Sequence, residues 1–153
     1  MYKKLFWGSV FLWVVVIGIF VKFFVTGQTI SSPDNRRAVI LTPSEREVVL
    51  GEMRTLLVSL NGILKGLAKD DFKTVSIQAS NAGAGMAADL NPALMAKLPL
   101  DFKTLGMSLH KDFDQLSVEV NQGMAKDQVI ARLGDMTNKC LACHAAYKIE
   151  ARE

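Results

Sequence analysis

The sequence predicts an all-α protein: an antiparallel up-down-up-down four-helix bundle behind an N-terminal transmembrane helix. Three observations carry that expectation. Leu5 to Val25 is an apolar run whose only charge is Lys22. From Pro43 onward, apolar residues recur at helical spacing in successive stretches. Between residues 42 and 153 nothing alternates as a strand for more than a few positions. Half of the 153 residues are apolar and the mean hydropathy is +0.21, so one compact domain is accounted for with apolarity to spare. The formal charge of +3 belongs to Lys3, Lys4 and Lys22, and the rest of the chain balances. That balance argues against a nucleic-acid-binding protein and against a polybasic membrane-surface protein.

The first segment, residues 1–26, has the charged start and apolar stretch of an export signal. The stretch exceeds the roughly 7–15 residues of a cleaved signal, and no small-residue cleavage pattern precedes Gln28. As a helix it reaches about 31 Å, the thickness of a bilayer's hydrocarbon core, so it reads as an uncleaved anchor. Trp7 suits the inner interface, and Lys22 lies close enough to the outer end to snorkel. Lys3 and Lys4 place the N-terminus in the cytoplasm, which sends the remainder to the periplasmic side of a bacterial inner membrane. Residues 27–41 are polar, contain Gly and Pro and show no sustained period, so a linker is expected there.

Residues 42–153 supply the bundle. Thr42-Pro43-Ser44-Glu45 is a capping box with proline at the first helical position. Val49, Met53, Leu56, Leu60, Ile63 and Leu67 then hold one face to about Ala68. Asp70 and Asp71 cap a second helix expected to reach about Leu90, through the small-residue run SNAGAGMAA. Asn91 to Pro99 is a connection with room for a helical turn. A third helix runs from about Leu100 to Asn121, and a fourth from about Lys126 to Ile149. Connections this short between long helices favour antiparallel neighbours.

The chemistry lies in Cys140-Leu-Ala-Cys143-His144. Two thiols spaced by two residues and followed by histidine form the c-type haem attachment motif, and on a helix all three share a face. A thioredoxin-type pair belongs at a helix N-terminus in a βαβ setting, and this pair sits near the end of a helix. A zinc site needs four ligands, and the only other histidine is His110. One covalent haem c is therefore expected, attached in an exported domain.

Only nine residues follow His144, so any second protein ligand comes from upstream. A haem motif near the C-terminus of the last helix, with NKCLACHAAYK and the bundle pattern over residues 43–150, resembles the cytochrome c′ family, the class II c-type cytochromes. The resemblance implies that His144 is the proximal ligand and that the distal residue comes from the first helix. In that family it is a leucine or similar where gases bind, and a methionine where electrons are carried. Met53 is the residue so placed. It lies roughly 15 Å from the start of its helix, in the half of the bundle that holds His144, although a core-filling role fits its spacing as well. His110 is the alternative, at a similar height on the third helix, but it borders the apolar stripe beside Lys111 and Asp112 and reads as a surface or supporting residue. Met107 lies further off the stripe, and Met136 shares the proximal helix. Arg54 and Lys148 are candidate propionate partners, Lys148 where the family often has a basic residue, and Tyr147 is expected to pack at the haem edge.

The expected function is a membrane-anchored periplasmic monohaem cytochrome carrying single electrons with His/Met ligation, and no enzyme. Glu45, Glu47 and Glu52 read as cap and solvent-face residues, not as paired catalytic carboxylates. Two other readings stay open: a five-coordinate protein binding nitric oxide or carbon monoxide, and a haem subunit of a respiratory or photosynthetic membrane complex. The expected partners are the membrane, a redox protein or complex, and by resemblance a second copy through the first two helices. The anchor departs from the family's usual freely diffusing form and raises effective concentration toward membrane partners.

Overall fold

The computed structural model describes residues 2–88 and 90–152. The chain runs α1 (Tyr2–Thr26), β1 (Thr29–Ser31), β2 (Arg37–Leu41), α2 (Pro43–Ala68), α3 (Phe72–Asn81), α4 (Pro92–Lys97), α5 (Leu100–Asn121), α6 (Lys126–Ala146) and β3 (Tyr147–Ala151), with a 3₁₀ turn at Ala84–Ala87. The fold is dominated by helices, as expected. α1 is long and apolar enough to cross a membrane, and none of its described residues is buried.

α2 begins where its sequence says it should. Thr42 Oγ1 accepts from the Glu45 amide at 3.3 Å, and the Glu45 carboxylate accepts from the Thr42 amide at 2.9 Å. The same carboxylate takes the Lys97 ammonium at 2.7 Å, which ties the start of α2 to the end of α4. α3 packs antiparallel on α2, with Val75 against Gly66 and Gln78 against Gly62. It packs antiparallel on α5 through the Ser76–Ser117 hydroxyl pair at 3.0 Å. α6 returns along α5, where Asp112 faces Arg132 at 3.5 Å and also takes Lys139.

Three expectations are corrected. The second helix stops at Asn81, well short of Leu90, because Gly83 and Gly85 interrupt it. A Cβ at Gly83 would collide with the Asp114 carboxylate, whose other oxygen accepts from the Ala84 amide at 2.9 Å. Four helices of similar length are therefore not what forms. The fourth long helix ends at Ala146, three residues before Ile149, and the chain continues as β3. Residues 27–41, expected as a linker, fold instead as a hairpin: Thr29 pairs with Val39 and Ser31 with Arg37, antiparallel. β3 then adds to β2 in parallel, Arg37 opposite Tyr147 and Leu41 opposite Ala151. Ala38, Val39 and Leu41 are buried, so this segment forms part of the core.

Two apolar cores result. One lies among α2, α3, α5 and α6 and centres on Ile63, Val75, Leu116 and Val129. The other lies under the sheet and gathers Val39, Leu41, Val49, Leu94, Leu98, Phe102 and Tyr147.

Candidate functional site

α6 is held at its start by the Gln128 side chain, which accepts from the Ala125 amide at 3.2 Å. It carries Cys140, Cys143 and His144 on its last two turns. Both cysteines are free and partly buried, and His144 is exposed. Burial pushes both thiols above their ordinary pKa, which keeps them protonated at neutral pH. The activated thiolate of a dithiol redox pair is served by the opposite shift. Among the described residues no three His, Cys, Asp or Glu side chains converge as a metal-binding cluster.

Cys140, Cys143 and His144 line one wall of a cavity of about 540 Å³ between α2, α5 and α6. α2 supplies the facing wall with Val49, Leu50, Met53, Leu56, Leu57 and Leu60, and α5 the back with Phe102, Leu105, Gly106, Leu109 and Phe113. Gly106 leaves open space where any other residue would place a Cβ. The volume falls within the roughly 300–1,000 Å³ of cofactor and ligand sites, and the lining is mostly aliphatic and aromatic. A second, smaller recess of about 140 Å³ adjoins Cys143 and His144, lined also by Arg36, Met53, Phe102, Tyr147 and Lys148.

Met53 and Cys143 pack against the same core cluster, the one under the sheet, whereas Cys140 packs against the other. Met53 thus sits level with the His144 end of the motif. His110 corrects its expected surface place: it is only 6% exposed, and its Nδ1 donates to the Ala82 carbonyl at 2.8 Å. It borders the cavity beside Leu109, which belongs to the deeper cluster with Cys140, and lies near enough to Glu52, the residue before Met53, to favour its ionised form. Met136 also lines the cavity, from the cysteine-bearing helix itself, and Met107 does not appear in its wall.

The basic candidates separate. Arg54 is exposed at the cavity rim and pairs with Glu47 at 3.4 Å. Lys148 lies in the smaller recess and pairs with Glu150 at 2.9 Å. Tyr147 is buried, stacked edge-on against Phe102 at 5.3 Å and under the Arg37 guanidinium at 4.5 Å. Glu52 was expected on a solvent face, but it borders the cavity, and burial pushes its carboxyl upward. Arg36, which the sequence offers only as an outer-flank charge beside Arg37, also belongs to the site. It donates to the His144 carbonyl at 3.4 Å and to Asp34, whose carboxyl it holds far below the usual range.

Against protein-family models, curated proteins and solved structures, the chain matches none. The reading of this site therefore rests on its own residues.

Proposed function

We propose that this protein is a membrane-anchored c-type cytochrome that carries single electrons, with one haem bound through Cys140 and Cys143 and with His144 and Met53 as axial ligands. On this reading α2, α3, α5 and α6 are the four helices of a bundle of the cytochrome c′ kind, and α1 holds the domain at the periplasmic face of the inner membrane. The observation that carries the reading is the shared cavity. Both thiols and His144 stand on one wall of an apolar space of suitable size, and Met53 stands on the other.

The donor set fits the group. The thiols would hold it covalently, and His144, exposed at the edge of the cavity, would offer an imidazole nitrogen as the proximal ligand. Bound there, the haem would supply an iron that cycles between two oxidation states, its potential raised by methionine ligation. Leu56, Leu57, Leu105 and Leu109 exclude water around it, and Arg36 and Lys148 give positive charge at the recess beside His144. Two strong ligands leave no open position for a substrate, so no catalysis follows.

The apolar lining around Met53 is the one feature that favours the gas-binding alternative, in which Met53 only walls a distal pocket. The test of attachment is direct. Protein produced in a cytochrome c-maturing periplasm should retain haem after acid–acetone extraction and give a c-type pyridine haemochrome, and C140A/C143A should release it. A colourless wild-type protein from that host would sink the proposal.

A further inference from the structure

α1 does not end in a flexible tether. Its last turn is fastened to the domain: the Gln28 amide donates to the Lys97 carbonyl at 2.7 Å, and the Ile40 amide donates to the Gln28 carbonyl at 2.8 Å. Gly27 makes the turn possible. It has φ +60°, and a Cβ there would run into the backbone of Lys97, Leu98 and Pro99. Lys103, in the first turn of α5, lies 4.2 Å over the ring of Phe24. The next residue back, Phe102, is already a wall of both cavities and packs on Tyr147, three residues beyond His144. β2 follows the anchor in sequence and pairs with β3, which follows the cysteine-bearing helix without a loop. The last apolar turn of the anchor and the His144 end of the site are thus parts of one packed unit.

From this junction, and resting on the haem reading above, we propose that the cofactor-bearing end is held against the headgroup layer and exchanges electrons with an integral membrane protein whose own one-electron centre lies at that level. One electron passes between that centre and the haem iron, one oxidised as the other is reduced. A freely diffusing protein partner would have to enter between the domain and the bilayer. A mobile linker would remove that constraint, and none is present between Thr26 and β1.

Two exposed positions, Thr104 in α5 and Gln122 at its C-cap, are about 27 Å apart along the helix axis and read the orientation without using haem. Full-length T104C and Q122C, labelled with a fluorophore in vesicles of phosphatidylcholine that include a headgroup spin-labelled lipid, should differ. The label at 104 should be quenched several-fold more strongly. A flexible Gly/Ser spacer of about fifteen residues after Thr26, with roughly 20 Å of mean reach, should erase the difference. Equal quenching in the chain without the spacer overturns the orientation. In native membranes the spacer should also slow substrate-driven haem reduction by roughly tenfold while leaving reduction by dithionite unchanged. An unchanged membrane-driven rate overturns the partner assignment. Should the spacer prevent folding, the 104/122 ratio in the parent chain decides alone. Failure of haem attachment is seen separately, in the pyridine haemochrome, and leaves the quenching result standing.

Discussion

The two cores of this domain are built by different rules. The deep core is helix against helix, and its central residues, Ile63, Val75, Ala79, Leu116 and Val129, are fully excluded from solvent. The core under the sheet joins β2, α2, α4, α5 and β3, segments spread over more than a hundred residues, and it borders the cavity. Both cores border the cavity, the deep one through Leu109, Phe113, Leu133 and Met136 and the other through Val49 and Phe102, and helix packing is interrupted between them, where Cys140, Cys143 and His144 face Met53. Leu57, in the cavity wall, is 66% exposed, whereas Leu56 and Leu60 beside it in that wall are partly buried. An aliphatic side chain left uncovered beside such a cavity is what a bulky apolar group would cover.

That contrast can be broken by mutation. The largest effect is expected in the deep core: Leu116→Ala should lower the stability of the cofactor-free domain by about 2–5 kcal/mol in urea denaturation. Leu57→Ala should change the cofactor-free domain by no more than about 0.5 kcal/mol, and should lower stability clearly only once haem is attached. Equal effects of L57A in both forms would contradict the proposed covering of Leu57 by a haem. A smaller change is expected from Thr42→Ala, which deletes the side-chain acceptor of the capping box and should cost about 1 kcal/mol.

The two carboxylates of α2 sharpen the comparison through pH. Glu45 is held below its ordinary pKa by the Lys97 ammonium and then by the Thr42 amide, so its contribution is present above the ordinary carboxylate range and is lost as pH falls. Glu52 is pushed up by burial beside the cavity, an effect only partly offset by His110, so its ionisation opposes folding as pH rises through its raised value. Glu52→Gln should therefore raise the denaturation midpoint of the cofactor-free domain near neutrality, with the advantage shrinking in acid. Glu45→Gln should do the reverse. A midpoint for E52Q that does not vary with pH relative to the parent chain would show that the carboxyl is solvated.

The deep core was legible in the sequence and the sheet was not. A capping box and a repeating face are local signals, and α2, α5 and α6 begin within a residue or two of where those signals put them. The hairpin is built from strands of three and five residues, and β2 pairs with β3 across more than a hundred positions, which leaves no local period to detect. Signals were available all the same. Arg37-Ala-Val-Ile-Leu41 is a compact apolar run inside a polar segment, and Tyr147-Lys-Ile-Glu-Ala151 alternates. The helical period also runs through Tyr147, because Cys140, His144 and Tyr147 fit spacings of three and four and so mask the strand. For the site, the motif named Cys140, Cys143 and His144 outright, and helix arithmetic with the family resemblance put Met53 on the facing wall. His110 was placed outside because Lys111 and Asp112 flank it; it is covered by the turn after α3, whose early end the sequence did not reveal.

The most direct test of the central claim is the optical spectrum of the full-length protein, oxidised and reduced, with and without carbon monoxide. Met53 ligation predicts narrow low-spin reduced bands, a weak methionine–iron charge-transfer band in the far red when oxidised, and no response to carbon monoxide. In M53L the far-red band should vanish and carbon monoxide should bind. A broad high-spin spectrum in the parent chain, shifting sharply with carbon monoxide, would contradict His144/Met53 ligation and make the site a gas-binding one.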